Sequence, residues 1–275
     1  MSAQQPSGPQ LPDSERDEWH VGGRTLRSRL LIGSGRFKSF DELDAVIAAA
    51  QAEVVTVSLR RVDSKGGGAA LLEVLRRRGC HLLPNTSGCY SADDAVRIAE
   101  LAREAGYGDW VKLEVIGDPG SLYPDGEETL LAARQLVASG FAVLPYCGDD
   151  PVLARKLEDV GCAAVMPLAA PIGSGLGLCN PHRIAMIVAA VRVPVLVDAG
   201  IGTASDATRA MELGVTAVLL NTAIAEAGSP QHMAAALRHA VQAGRLAYRA
   251  GRMATRDGAQ PSSPTSGAIG GLAGP

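Results

Sequence analysis

The segment Trp110-Val111-Lys112-Leu113-Glu114-Val115-Ile116 sets a lysine and a glutamate two positions apart in an otherwise apolar run. In an extended strand alternate side chains point to opposite faces. Lys112 and Glu114 therefore share one face, and Val111, Leu113 and Val115 share the other. An antiparallel strand with one wet face would leave the charged pair solvated, whereas a parallel strand covered on both faces would enclose it. Enclosure changes the chemistry, because desolvation is expected to lower the lysine pKa and leave a nucleophilic amine. The rest of the chain decides between these environments.

Working outward from this segment, one unit recurs: an apolar run, a turn rich in Gly, Asn, Asp, Ser or Pro, an amphipathic helix, a glycine, and the next apolar run. The runs are Leu30–Ile32, Val54–Leu59, His81–Pro84, Val111–Ile116, Ala142–Pro145, Ala163–Pro167, Val195–Val197 and Ala217–Leu220. Several are continuously apolar and β-branched, as strands buried on both faces should be. Ser39 with Glu42 reads as a capping box, and Ser91 with Asp94 repeats the pattern. Asp150-Pro151 and Asn180-Pro181 each place a capping side chain before a proline at the first helical position. Gly79, Gly106, Gly140, Gly161 and Gly214 stand where a left-handed residue stops a helix. Eight such units over residues 19–253 predict an α/β fold of the (β/α)8 TIM-barrel type as a single domain, with an open doubly wound sheet as the rival. Trp19 to Ser28, with Gly22-Gly23 inside, predicts a short hairpin closing the barrel's bottom. Residues 1–18 and 254–275, polar and rich in Gly, Ser and Pro, are expected to be flexible tails.

The barrel reading puts Val111, Leu113 and Val115 against the helices and Lys112 and Glu114 toward the axis near the C-terminal rim, where barrel enzymes keep their chemistry. A structural ion pair remains the competing explanation. Asp198 follows the apolar run Val195–Val197 and reaches the same rim, either as a functional carboxylate or as a turn residue before Gly200. Ala199-Gly200-Ile201-Gly202, Pro171 to Gly177 with Gly173 inside, and Asn221-Thr222 are expected to form an anion nest after strands seven, six and eight. Neither glycine loop matches a Walker or dinucleotide fingerprint. Arg60 and Arg61 can grip an anion or serve a subunit contact, and Asn85 and Thr86 are read as caps for the helix near Ser91.

The totals narrow the function classes. Of 275 residues, 47% are hydrophobic and 20% charged, an ordinary globular balance. A net charge of −3 excludes nucleic acid or anionic membrane as the expected partner. No apolar run spans a membrane and the N-terminus lacks a secretory pattern, so a cytoplasmic location is expected. The five cysteines lack a Cys-x-x-Cys pair and the five histidines lack ligand spacing. Neither a metal site nor a cofactor is expected.

An interior lysine, two carboxylates and a phosphate nest describe imine chemistry on a phosphorylated ketone or aldehyde. The amine condenses with the carbonyl, the imine acts as an electron sink for proton removal at the adjacent carbon, and Glu114 and Asp198 move the protons. These residues do not identify a second substrate. They leave open another Schiff-base barrel of the class I aldolase type, or a non-catalytic phosphate-binding barrel.

Beyond local chemistry, Leu31 to Gly35, Leu83 to Tyr90, Val111 to Asp118, Val143 to Cys147, Met166 to Gly177, Val197 to Gly202 and Leu220 to Ala225 together resemble bacterial thiazole synthases, in order, from about Leu26 to Arg252. The resemblance implies synthesis of the thiazole phosphate moiety of thiamine. It implies that 1-deoxy-D-xylulose 5-phosphate forms a Schiff base with Lys112 and that Glu114 and Asp198 transfer protons. Gly173, Ala199, Gly200, Asn221 and Thr222 would bind the sugar phosphate. Sulfur would arrive as the C-terminal thiocarboxylate of a small sulfur-carrier protein, and the remaining atoms as dehydroglycine made by a separate dehydroglycine-producing enzyme. A homo-oligomer, specifically a tetramer, is also expected. Ala169-Ala170, Leu176 and the tail after Gln260 depart from the family pattern.

Overall fold

The computed structural model describes residues 17–58 and 68–262. A hairpin opens the chain, β1 (Trp19–Val21) with β2 (Arg24–Leu26), joined antiparallel. Gly22 and Gly23 have φ of 52° and 76°, the two positive values that a tight hairpin turn requires. Eight parallel strands follow: β3 (Leu30–Gly33), β4 (Val54–Ser58), β5 (His81–Asn85), β6 (Trp110–Leu113), β7 (Ala142–Cys147), β8 (Met166–Pro167), β9 (Leu196–Asp198) and β10 (Ala217–Leu220). Their order is β8-β7-β6-β5-β4-β3-β10-β9, and the parallel bridges Val165 to Val195 and Leu168 to Asp198 join the two ends. The sheet is therefore a closed barrel, and the open-sheet rival falls.

Local chemistry explains the outer helices. The side chains of Ser39, Ser91, Asp150 and Asn180 accept from the N–H groups of Glu42, Asp94, Val152 and Arg183 respectively. Each satisfies a helix-start donor that would otherwise be orphaned. Two caps went unread in the sequence: Asp125 accepts from Glu127 and Glu128, and Thr203 with Asp206 forms a capping box. Gly79, Gly106, Gly140, Gly161 and Gly214 all have positive φ at the positions expected to stop helices.

Two apolar layers fix which way each strand faces. Val111, Leu113 and Val115 belong to the layer between sheet and helices. Leu31, Val54, Leu83, Trp110, Leu144, Met166, Leu196 and Leu219 fill the interior, and Trp19, Val21 and Leu26 of the hairpin plug its lower end. Trp110 Nε1 donates to Gly22 O at 3.0 Å, tying plug to barrel. Asp17 is held from the barrel side by Arg29 and Arg245. With the lower barrel packed solid, the polar interior positions are left at the C-terminal rim.

Two strands are shorter than the sequence suggested; at β4 the expected end, Leu59, like Arg60 and Arg61, lies outside the described residues. The run at Ala163 pairs regularly only over Met166–Pro167. β6 ends at Leu113 because the Glu114 N–H turns from the ladder to Thr86 Oγ1. Residues 251–262 contain neither helix nor strand and are exposed, and 263–275 lie outside the described residues.

Candidate active site

Lys112 is the third residue of β6 and points into the barrel above the apolar plug. Its Nζ lies 3.2 Å from Glu114 Oε1 and 2.6 Å from Asp198 Oδ2. The three residues are 7%, 6% and 4% exposed. Asp198 reaches the amine because it ends β9, where Ala199 (φ 66°) and Gly200 (φ 85°) turn the chain sharply away. A left-handed alanine costs about 1–2 kcal/mol, so the surrounding packing must enforce this turn. At Gly200 an added Cβ would stand 2.3 Å from the Ala170 amide nitrogen, which leaves room for glycine only.

The charge state of the amine differs from the sequence expectation. Burial pushes the Lys112 pKa down, but Asp198 first and Glu114 second outweigh it, and the pKa stands above the ordinary lysine value. The resting amine is an ammonium ion and must hand a proton to a carboxylate before it can attack. Tyr146, fully buried, sets its ring 6.0 Å from Nζ, and its hydroxyl donates to Leu122 O at 3.3 Å. Burial and the nearby carboxylates raise the Tyr146 pKa, so it stays a neutral phenol.

Glu114 is fixed by a residue read in the sequence as a helix cap. Thr86 Oγ1 accepts from the Glu114 N–H and donates to the Glu114 carbonyl, both at 2.8 Å, with Thr86 fully buried. Thr86 N–H also donates to Lys112 O at 3.2 Å. Ser91 caps the helix; Thr86 instead splices the end of β6 where the ladder stops.

The amine opens into a cavity of about 870 Å³. Glu114, Asp198, Gly173, Ala199 and Gly200 line it with Lys112, and Asn221 and Thr222 complete the set of expected site residues. The glycine loops converge: a Cβ at Gly173 would lie 3.9 Å from Thr222 Oγ1, and one at Gly175 would lie 3.8 Å from Gly202 Cα. Two details revise the nest. Gly202 and Thr203 N–H groups are committed to Asp206 Oδ2, both at 3.1 Å. The Asn221 amide, with its nitrogen turned to the facing carbonyls, donates to Gly33 O at 3.2 Å and Gly35 O at 2.9 Å. Asn221 thus fastens two loops together through its amide nitrogen. Thr56, Ser58 and Asn85 also line the cavity; the sequence signal for them was the inward phase of the strands, even-numbered in β4 and odd-numbered in β5.

Burial raises the thiols of Cys147 and Cys162 to about 12 and of Cys80 to about 11, so none is a thiolate near neutrality. No group of three or more metal-binding side chains occurs among the described residues. No helix among them is long and apolar enough to cross a membrane.

The profile of thiazole biosynthesis protein ThiG matches residues 20–264. The chain belongs to the ThiG family. ThiG relatives include a thiazole synthase from Myxococcus xanthus (strain DK1622), 58% identical over 219 residues, 79% of this chain and 84% of that one. Another, from Geobacter sp. (strain M21), is 54% identical over 92% of this chain and 98% of its own. Among solved structures, the Amycolatopsis orientalis BexX/CysO complex superposes with a TM-score of 0.80 and 36% identity, over 87% of this chain and 98% of that chain. Barrels such as the Salmonella typhimurium 3-hexulose-6-phosphate synthase, at 17% identity and TM-score 0.54, share the ThiG fold alone.

Proposed function

We infer that this chain is a thiazole synthase of thiamine biosynthesis, condensing 1-deoxy-D-xylulose 5-phosphate, dehydroglycine and carrier-borne sulfur into the thiazole phosphate. The observation that carries the reading is one buried amine held between two carboxylates, in a cavity shared with Gly173, Gly200 and Thr222, in a chain of the ThiG family.

In the proposed sequence, the keto sugar enters with its phosphate toward the glycine loops. The Lys112 ammonium gives a proton to Asp198, the nearer carboxylate. The free amine attacks the carbonyl carbon, the carbonyl oxygen takes the proton back from Asp198, and the nitrogen gives up a second proton, through the carboxylates, that lets the hydroxyl leave as water. The product iminium carries the same positive charge as the ammonium it replaces, so the two carboxylates that stabilise one stabilise the other. They also stand ready to take a proton from the adjacent carbon, for which the iminium is the electron sink. Distances of 3.2 and 2.6 Å to Nζ support these roles for Glu114 and Asp198.

Sulfur would be delivered by a carrier protein through its C-terminal thiocarboxylate, with dehydroglycine supplied by a separate enzyme. BexX, a family neighbour, is solved in complex with CysO, which agrees with a protein partner at this barrel. A cytoplasmic homo-oligomer, a tetramer, is part of the proposal. Purified protein given deoxyxylulose phosphate, dehydroglycine and thiocarboxylated carrier should yield thiazole phosphate by mass spectrometry. Turnover of the sugar phosphate to aldol cleavage products, without sulfur uptake, would overturn the reading.

A further inference from the structure

Among the described residues, two buried side-chain oxygens of the cavity lining make no hydrogen bond, Asn85 Oδ1 and Asp198 Oδ2. Asp198 Oδ2 has the Lys112 ammonium at 2.6 Å, whereas Asn85 Oδ1 has neither a hydrogen bond nor an ion pair. Asn85 ends β5 and pairs directly with Lys112 on one side and with Ser58 on the other. Directly paired residues of neighbouring strands point to the same face, with strands about 4.8 Å apart, so Ser58, Asn85 and Lys112 form one row along the cavity wall. Its polar neighbours are held: Lys112 by two carboxylates, Ser58 by Ser87 Oγ at 3.1 Å, and Asn221 by two carbonyls. A buried oxygen without a donor destabilises the empty protein, and such groups mark places where function outweighs stability.

We propose that Asn85 is a substrate-binding residue whose amide oxygen accepts a hydrogen bond from the hydroxyl on the carbon next to the imine carbon. The proposal rests on the imine reading above and names a determinant of its substrate class, a ketose phosphate hydroxylated beside the carbonyl. The geometry suits this. The amide stands one strand away from the amine on the same wall, where the first carbon beyond the imine must pass. A site built to hydrogen-bond a hydroxyl rejects an analogue that lacks it, because the acceptor is then left buried and unpaired.

Calorimetry should compare 1-deoxy-D-xylulose 5-phosphate with its 3-deoxy analogue on wild type, Asn85→Leu and Asn85→Ala. Wild type is expected to bind the hydroxylated sugar about 10-fold or more tightly than the analogue, a factor of ten being about 1.4 kcal/mol. Both variants should lose that preference while holding the analogue as wild type does. A second readout separates binding from structure: ligand-free Asn85→Leu should melt no lower than wild type, since no protein hydrogen bond is lost. Equal weakening of both sugars, an undiminished preference, or a lower melting temperature for the ligand-free Leu variant would each overturn the assignment. Borohydride trapping on wild type, run separately, tests the imine reading, and its failure would leave the calorimetric result on Asn85 intact.

Discussion

Thr86→Val removes one hydroxyl and keeps the side chain's volume, which makes it the cleanest probe of how Glu114 is held. The hydroxyl serves both the N–H and the carbonyl of Glu114 at 2.8 Å, inside a region where Thr86 is fully buried and Glu114 is 6% exposed. Each buried backbone group left unsatisfied costs about 1–3 kcal/mol. Two groups with partial relaxation give a loss of about 3 kcal/mol. For a chain of this size that is a fall of roughly 6–12 °C in melting temperature. Shifting Glu114 by about 1 Å should also slow turnover about 100-fold. Thr86→Ser restores the hydroxyl and should recover most of both. Thermal melts together with single-turnover trapping give the two numbers. If Thr86→Val melts with wild type and traps sugar at the wild-type rate, the splice is incidental.

Other perturbations follow from the same geometry. Asp198→Asn removes the stronger of the two influences that raise the Lys112 pKa, so the pH of half-maximal imine trapping should move down while later steps slow about 10–1,000-fold; an upward move contradicts this ordering. Gly200→Ala sets a Cβ against the Ala170 amide in a left-handed position and should destabilise by more than about 1 kcal/mol in denaturant titration; a neutral result would mean the turn re-forms. Asp17 is partly buried, which opposes ionisation, yet hydrogen bonds from Arg245 and Arg29 hold its pKa at about 2. A depressed carboxylate contributes stability above its ordinary pKa and loses it as pH falls through the folded value. The stability gap between wild type and Asp17→Asn should therefore be flat above about pH 4 and close toward pH 2; a gap that widens on acidification refutes the pairing.

How far the fold was readable depends on the range of the physics involved. Caps at Ser39, Ser91, Asp150 and Asn180 and stops at five glycines are decided within a few residues, and the hairpin at Gly22-Gly23 likewise. The alternation around Lys112 also carried correctly to its inward face, because a period of two survives whatever surrounds it. Three points needed closure of the barrel. Thr86 looked like a cap since its true partner is 28 positions away. Asn221 was legible only as part of the anion nest, and the tie from its amide nitrogen to the carbonyls of Gly33 and Gly35 was not. The amine's charge was misjudged because burial and carboxylates act in opposite directions. Distances of 2.6 and 3.2 Å, which no sequence states, decide the winner.

The most direct test of the central claim is mass spectrometry of the protein after borohydride reduction in the presence of 1-deoxy-D-xylulose 5-phosphate. The expected result is one sugar-phosphate adduct, mapped by peptide fragmentation to Lys112 and missing from a folded Lys112→Ala variant. An adduct on any other residue, or none on protein that binds the sugar phosphate, would contradict the account.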